Sequence, residues 1–296
     1  MQITLDNGIA LEYDEFGTPE SPAILLIMGL GTQMTAWSEP FCQLLVERGF
    51  RVIRFDNRDV GLSHKCDGQR APTTFDYLRN KFFGRRLPVP YTLSDMAADA
   101  AGLLRALEIT QAHIVGASMG GMIGQILSAQ QPDKVLSFTS IMSSSGNPRL
   151  PSADRQVMRH LYSRPKGSQE LQFKHSIETY RLIESPKYLS TDEELQRKVQ
   201  ASIDRAYYPQ GFARQMAAII ADGSRVKRLQ QITAPTLVIH GTADRLVPMA
   251  AGKDTAKHIP GAWLELIDGM GHDLPEPLWA PLANLIGDHA VNAVSQ

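Results

Sequence analysis

The chain opens on alternation. Ile3 and Leu5, then Leu11 and Tyr13, are flanked by polar neighbours on either side of Asp6-Asn7-Gly8. A period of two turns one face of a strand toward a core, and an Asn-Gly pair tolerates the positive φ of a tight turn, so antiparallel strands are predicted first. The pattern then changes. Apolar runs follow at 23–28, 51–55, 113–116, 135–142, 236–240 and 263–267, several without alternation. Strands covered on both faces read this way.

Segments with helical spacing separate these runs, at 39–48, 93–107, 119–130, 249–258 and 277–289. In 93–107, Met96, Ala100, Leu103, Leu104 and Leu107 form one stripe, and Ser94 is placed to be the N-cap. Alternating strand and helix predict an α/β fold, a mostly parallel twisted sheet of about eight strands flanked by helices. The alternation breaks between residues 147 and 227, where polar, helix-favouring blocks occur at 154–162, 169–184, 192–207 and 212–221. Pro148, Pro151 and Pro165 punctuate the entry, and Ala234-Pro235 marks the return to the sheet. The expected division is a core of 1–146 and 228–296 with a helical insertion at 147–227. A smaller departure, the loop 65–90, carries Phe75, Tyr77, Phe82, Phe83 and a cluster of basic residues. It reads equally as a wall of a pocket or as a surface excursion packed by its own aromatics.

Composition narrows the function classes. A 296-residue chain with 43% hydrophobic and 21% charged residues is expected to fold around a large core. Its formal net charge of -1 supplies no broad field for a phosphate backbone or anionic lipid, so nucleic acid is not expected as a partner. Basic residues exceed acidic ones in the insertion, which a solvated helical surface explains more simply than steering of an anionic substrate. Two cysteines, Cys42 and Cys66, are too few for a disulfide framework or a tetrahedral zinc site. The N-terminus lacks a basic segment followed by an apolar stretch, and no apolar run is long enough to span a bilayer. A cytoplasmic protein without a membrane span is expected.

The sharpest chemical signal is Gly116-Ala117-Ser118-Met119-Gly120, between a predicted strand and a predicted helix. Small residues let the backbone reverse there, which lifts the serine hydroxyl clear of the strand end above a helix N-terminus. A serine becomes nucleophilic only when an imidazole can take its proton. Among eight histidines, His272 follows the last strand through Asp268-Gly269-Met270-Gly271, a flexible turn that can hang a ring over the strand ends. His240 is the rival, since it too ends a strand, but its place before Gly241 favours a structural role. His113 reads as a packed strand residue, and His258 and His289 sit late in helices, where the C-terminal dipole explains them. His64, His160 and His175 have no acid placed to orient them.

Asp244 follows the strand before Gly241 through a small turn and is the candidate to orient His272. Asp268 and Asp273 read as surface turn residues. Negative charge on a substrate carbonyl needs fixed donors. Met119 N–H is one candidate, and the second is expected from Ile27-Met28-Gly29-Leu30-Gly31, at Leu30 with Gly29 as the near alternative.

With these residues the chain resembles the α/β-hydrolase fold family over nearly its whole length. The order Ser118, Asp244, His272 is that family's order, and Asp56-Asn57-Arg58-Asp59-Val60-Gly61-Leu62-Ser63 looks like its D-x-R-G-x-G-x-S turn. The resemblance implies that the insertion is a cap over the active site. Two positions depart from the pattern: Met28-Gly29 stands where most members have His-Gly, and Asp59 replaces a usual glycine. This combination is similar to the aclacinomycin methylesterase branch, which implies a polyketide or other small methyl ester as substrate. Ser118 argues against the dehalogenases and epoxide hydrolases of this fold, which use aspartate, and against dienelactone hydrolases, which use cysteine. No proline lies at 28–31, where perhydrolase-like relatives often have one.

The expected activity is hydrolysis of a carboxylic ester of a small molecule through an acyl-enzyme, with no metal or organic cofactor. Cleavage of a carbon–carbon bond or a lactone by the same residues, and a ligand-binding receptor or scaffold with little turnover, are the alternatives.

Overall fold

The computed structural model describes residues 1–163 and 168–294, so Pro165 lies outside the described residues. Eight strands, β1 (Gln2–Thr4), β2 (Ala10–Phe16), β3 (Ala23–Ile27), β4 (Arg51–Phe55), β5 (Ala112–Ala117), β6 (Val135–Ile141), β7 (Thr236–Gly241) and β8 (Trp263–Ile267), form one sheet among the described residues. Their order is β1-β2-β4-β3-β5-β6-β7-β8. β1 and β2 form the expected antiparallel hairpin, and β2 runs antiparallel to β4. Every later pairing is parallel. At the first turn only Gly8 takes a left-handed φ, 80°.

The unbroken apolar runs have a direct cause. In β3, Leu25 and Ile27 join a core with Met96, Leu103, Leu104 and Ile123, while Ile24 and Leu26 join a second core with Phe41, Leu45, Leu282 and Ile286. Both faces are buried, so neither parity can be polar.

The covering helices are α1 (Glu39–Val46), α2 (Thr74–Phe83), α3 (Leu93–Ala106) and α4 (Met119–Gln130), then α5 (Arg155–Tyr162), α6 (Gln169–Ile183), α7 (Asp192–Arg205) and α8 (Gln210–Asp222). A short α9 (Val226–Leu229) precedes β7, and α10 (Met249–His258) and α11 (Trp279–Val294) complete the fold. The N-cap of α3 is Thr92 rather than Ser94: the Thr92 hydroxyl accepts the Asp95 N–H, and the Asp95 carboxylate accepts the Thr92 N–H. This reciprocal pair satisfies two donors, one more than a lone serine would.

The 65–90 segment also departs from expectation. It contains α2, started by the same device at Thr73 and Asp76 and stopped by Gly84 at φ 61°. None of its residues lines the main cavity, and Phe75, Phe82 and Phe83 face solvent rather than one another. Between β6 and β7 the described residues contain helices and no strand. Among the described residues, no helix is long and apolar enough to cross a membrane.

Candidate active site

At the end of β5 the chain reverses at Ser118, whose φ of 56° and ψ of −118° are costly for a residue with a side chain. Packing enforces the turn. A Cβ on Gly116 would lie 2.3 Å from the Gly120 carbonyl oxygen, and one on Gly120 would lie 2.0 Å from the Ile27 oxygen. Ser118 N–H donates to the Ile141 carbonyl at 2.9 Å, and the Ser143 hydroxyl donates to the Ser118 carbonyl at 2.8 Å.

The structure brings Ser118, His272 and Asp244 together from three distant parts of the sequence. Ser118 Oγ lies 2.9 Å from His272 Nε2, and His272 Nδ1 lies 2.7 Å from Asp244 Oδ2. The other carboxylate oxygen of Asp244 accepts the backbone N–H groups of Leu246 and Val247 at 2.9 and 2.7 Å. These bonds spend one oxygen on the loop and leave the other for the ring. Such a series can pass the serine proton to Nε2 while the carboxylate stabilises the resulting imidazolium.

His240 also lies near the carboxylate, its Nε2 3.6 Å from the same Asp244 Oδ2 and 2.8 Å from the Val247 carbonyl. The ring is fully buried, and burial holds its pKa below the ordinary imidazole value. It therefore supports the Asp244 loop as a neutral group and does not reach Ser118. His113 is likewise in the core, its Nδ1 2.8 Å from the Ser137 hydroxyl.

The loop after β3 is held by residues that the sequence alone did not single out. Asn57 donates to the Met28 carbonyl at 2.9 Å, the Asp56 carboxylate accepts Met34 N–H at 2.7 Å, and Gln215 of α8 accepts Gly31 N–H at 2.8 Å. Among the described residues no protein acceptor takes the backbone N–H of Gly29, Leu30 or Met119. Asn57 and Asp56 belong to the turn already noted at 56–63, which was a usable signal. Gln215 had none, because its partner is 184 residues away.

Asp59 holds φ at 68° and is fully enclosed. Its carboxylate accepts Arg214 Nε at 2.7 Å and Nη2 at 2.8 Å, Tyr91 Oη at 2.7 Å and Cys66 N–H at 2.8 Å. Burial alone would raise its pKa, but these hydrogen bonds outweigh burial and hold the carboxyl below the usual range. Asp268 is an exposed partner of Lys187. Asp273 is not a surface residue: it lines the cavity, accepts a hydrogen bond from Ser185, and burial pushes its carboxyl above the usual range.

A cavity of about 450 Å³ lies above these groups. Met28, Leu30, Ser118 and His272 line it from the sheet side. Met158 and Leu161 of α5 and Met216 and Ile219 of α8 face them, with Lys198 and Tyr180 among the polar residues. Among the described residues, no group of three or more His, Cys, Asp or Glu side chains is placed to hold a metal ion.

Comparison with known proteins agrees with this architecture. The profile of the α/β hydrolase fold family matches residues 22–276. The rhodomycin D methylesterase DnrP of Streptomyces peucetius is 28% identical over 305 residues, with 96% of each chain covered. The rhodomycin D methylesterase DauP of Streptomyces sp. (strain C5) is 29% identical over 307 residues, covering 97% of this chain and 96% of its own. Both stand in the branch to which Met28-Gly29 and Asp59 pointed. In fold, the chain is similar to the enol-lactonase from Burkholderia xenovorans LB400, with a TM-score of 0.74, 23% identity and 100% of both chains covered. The family match runs from the start of β3 past Ser118, Asp244 and His272, on a sheet antiparallel only at its first strands, and the chain belongs to the α/β hydrolase fold family.

Proposed function

We propose that the protein is a serine hydrolase that cleaves a carboxylic ester of a small molecule through an acyl-enzyme. The unbroken hydrogen-bond series from Ser118 through His272 to Asp244, opening on a largely apolar cavity, carries this reading. Ser118 Oγ attacks the ester carbonyl as His272 Nε2 takes its proton. The imidazolium then gives that proton to the departing alkoxide, which leaves as the alcohol. Water enters, loses a proton to the same nitrogen and attacks the acyl-enzyme, and the proton returns to Ser118 as the acid departs.

The tetrahedral intermediates carry negative charge on the former carbonyl oxygen. Leu30 and Met119 are the proposed backbone donors, with Gly29 the alternative to Leu30. Gly31 is excluded because Gln215 already holds its N–H. The two rhodomycin D methylesterase relatives support a methyl ester as substrate, the acyl part lying in the cavity and methanol leaving. Residues 147–227 act as a cap on a core formed by 1–146 and 228–296, since α5 to α8 supply the cavity wall opposite the serine. Buried free thiols at Cys42 and Cys66 suit a reducing cytoplasm.

The test is turnover of methyl and short-chain esters, lactones and vinylogous diketones by the wild type and by Ser118→Ala. Ester hydrolysis should lead the panel, and the substitution should lower kcat by roughly 10³ or more without a lower melting temperature. Equal rates in the two proteins would overturn the proposal. Faster turnover of lactones or diketones would reassign the bond cleaved.

A further inference from the structure

In most surface helices the apolar stripe faces the core and the polar face meets water. α2 does the reverse. Phe75, Leu78 and Phe82 fall on one face at helical spacing, and they are 63%, 47% and 68% exposed, with Phe83 at the edge of the face 77% exposed. A contiguous aromatic patch of this kind costs free energy in water and marks a surface that meets something else.

The charges around the patch identify the partner. Arg79 stacks its guanidinium over Phe75 at 5.4 Å, and Lys81 places its ammonium 5.8 Å from the Phe82 ring centre. Arg70 lies before the helix, and Arg85 and Arg86 follow it, all three exposed. Residues 65–90 hold six cations against two acids, Asp76 at the Thr73 cap and Asp67 at the Tyr208 hydroxyl. A chain of net charge -1 therefore concentrates cations beside three exposed phenylalanines. A second copy docking by two-fold symmetry would press these cations against one another. Anionic headgroups would neutralise them, while the phenyl rings enter the apolar boundary beneath.

We infer that α2 docks the protein reversibly on an anionic lipid bilayer. The helix is short, so binding depends on rings and cations together. Docking itself does not depend on the hydrolase reading.

The experiment is co-sedimentation of the full chain with phosphatidylcholine vesicles, with or without about one quarter phosphatidylglycerol, at about 0.1 M and about 0.5 M salt. The wild type should bind the anionic vesicles, less at the higher salt. Phe75→Ser/Phe82→Ser/Phe83→Ser, and separately Arg85→Ser/Arg86→Ser, should each lower partitioning at least tenfold. Melting temperature and turnover of a water-soluble ester, where present, should match the wild type. Absence of wild-type binding at the lower salt, or equal partitioning by wild type and both variants, would overturn the inference. So would a lipid-free, concentration-dependent dimer in sedimentation velocity that the triple substitution abolishes, since a second copy would then cover the face.

Discussion

The side-chain oxygen of Gln215 accepts the backbone N–H of Gly31 at 2.8 Å, tying α8 to the loop after β3. The same amide donates to the Arg58 carbonyl at 2.8 Å, so both ends of a fully buried side chain are satisfied. Most relatives by resemblance have a histidine in this loop, where the chain has Met28. Gln215 and Asn57 fix its path instead.

Gln215→Ala should therefore lower kcat by about 10 to 100-fold with little change in KM. It displaces donors that act on the transition state but removes no contact to the acyl group. Two orphaned backbone groups should cost stability as well, about 2 kcal/mol. Steady-state kinetics with chemical denaturation separates the effects. A large rise in KM at unchanged kcat would place Gln215 in substrate binding instead.

Asp244→Asn should leave the fold intact and lower kcat by about ten-thousandfold. The amide can still accept the Leu246 and Val247 N–H groups, but presenting an NH₂ to the ring selects the wrong tautomer. Assay beside a circular dichroism spectrum checks this, and a loss under tenfold would show that His272 is oriented by other groups.

Arg214→Leu should destabilise the fold by about 3 to 5 kcal/mol, because it strands the Asp59 carboxylate in a fully enclosed site. Adding Asp59→Gly should restore more than half of that, since the buried charge goes and glycine suits φ 68°. Urea denaturation of both single variants and the double variant measures the coupling. Additive losses would show that the two side chains do not act as a pair.

Stability should fall with acidification between about pH 6.5 and 4, where histidine ordinarily starts to titrate and where His113 does. Burial pushes the His113 imidazole down to about 4, so in this window the unfolded chain binds a proton that the folded chain refuses. Its contribution is complete above the unfolded value, declines as pH falls toward the folded value, and amounts to about 3 kcal/mol. His113→Gln should flatten that part of the curve. His240 and His289, also held low by burial, would keep a residual slope. An unchanged pH profile would show that His113 is protonated in the folded protein.

The sheet was legible because burial on both faces writes itself into β3 as an unbroken apolar run, and because a strand–Gly-x-Ser-x-Gly–helix turn leaves small residues where bulk collides. His272 and Asp244 could be picked out since each follows a strand through a short flexible turn. What the sequence hid is long-range. Gln215, Arg214 and Ser185 look like ordinary helix and loop residues until their partners arrive from elsewhere in the chain. Asp273 reads as a turn aspartate for the same reason: the helices that enclose it come from the insertion. At Thr92 the misreading was local, and the helix start at Thr73 was missed for the same reason: aspartate stands in the capping position where glutamate or glutamine is the familiar sign.

The most direct test is covalent. A fluorophosphonate reacts with a serine whose proton an imidazole can take, and peptide mapping by mass spectrometry locates the adduct. One equivalent on Ser118 is expected, abolished by Ser118→Ala and slowed by His272→Ala. Wild-type protein left unlabelled, or labelled at another serine while Ser118 stays free, would contradict the assignment of Ser118 as the nucleophile.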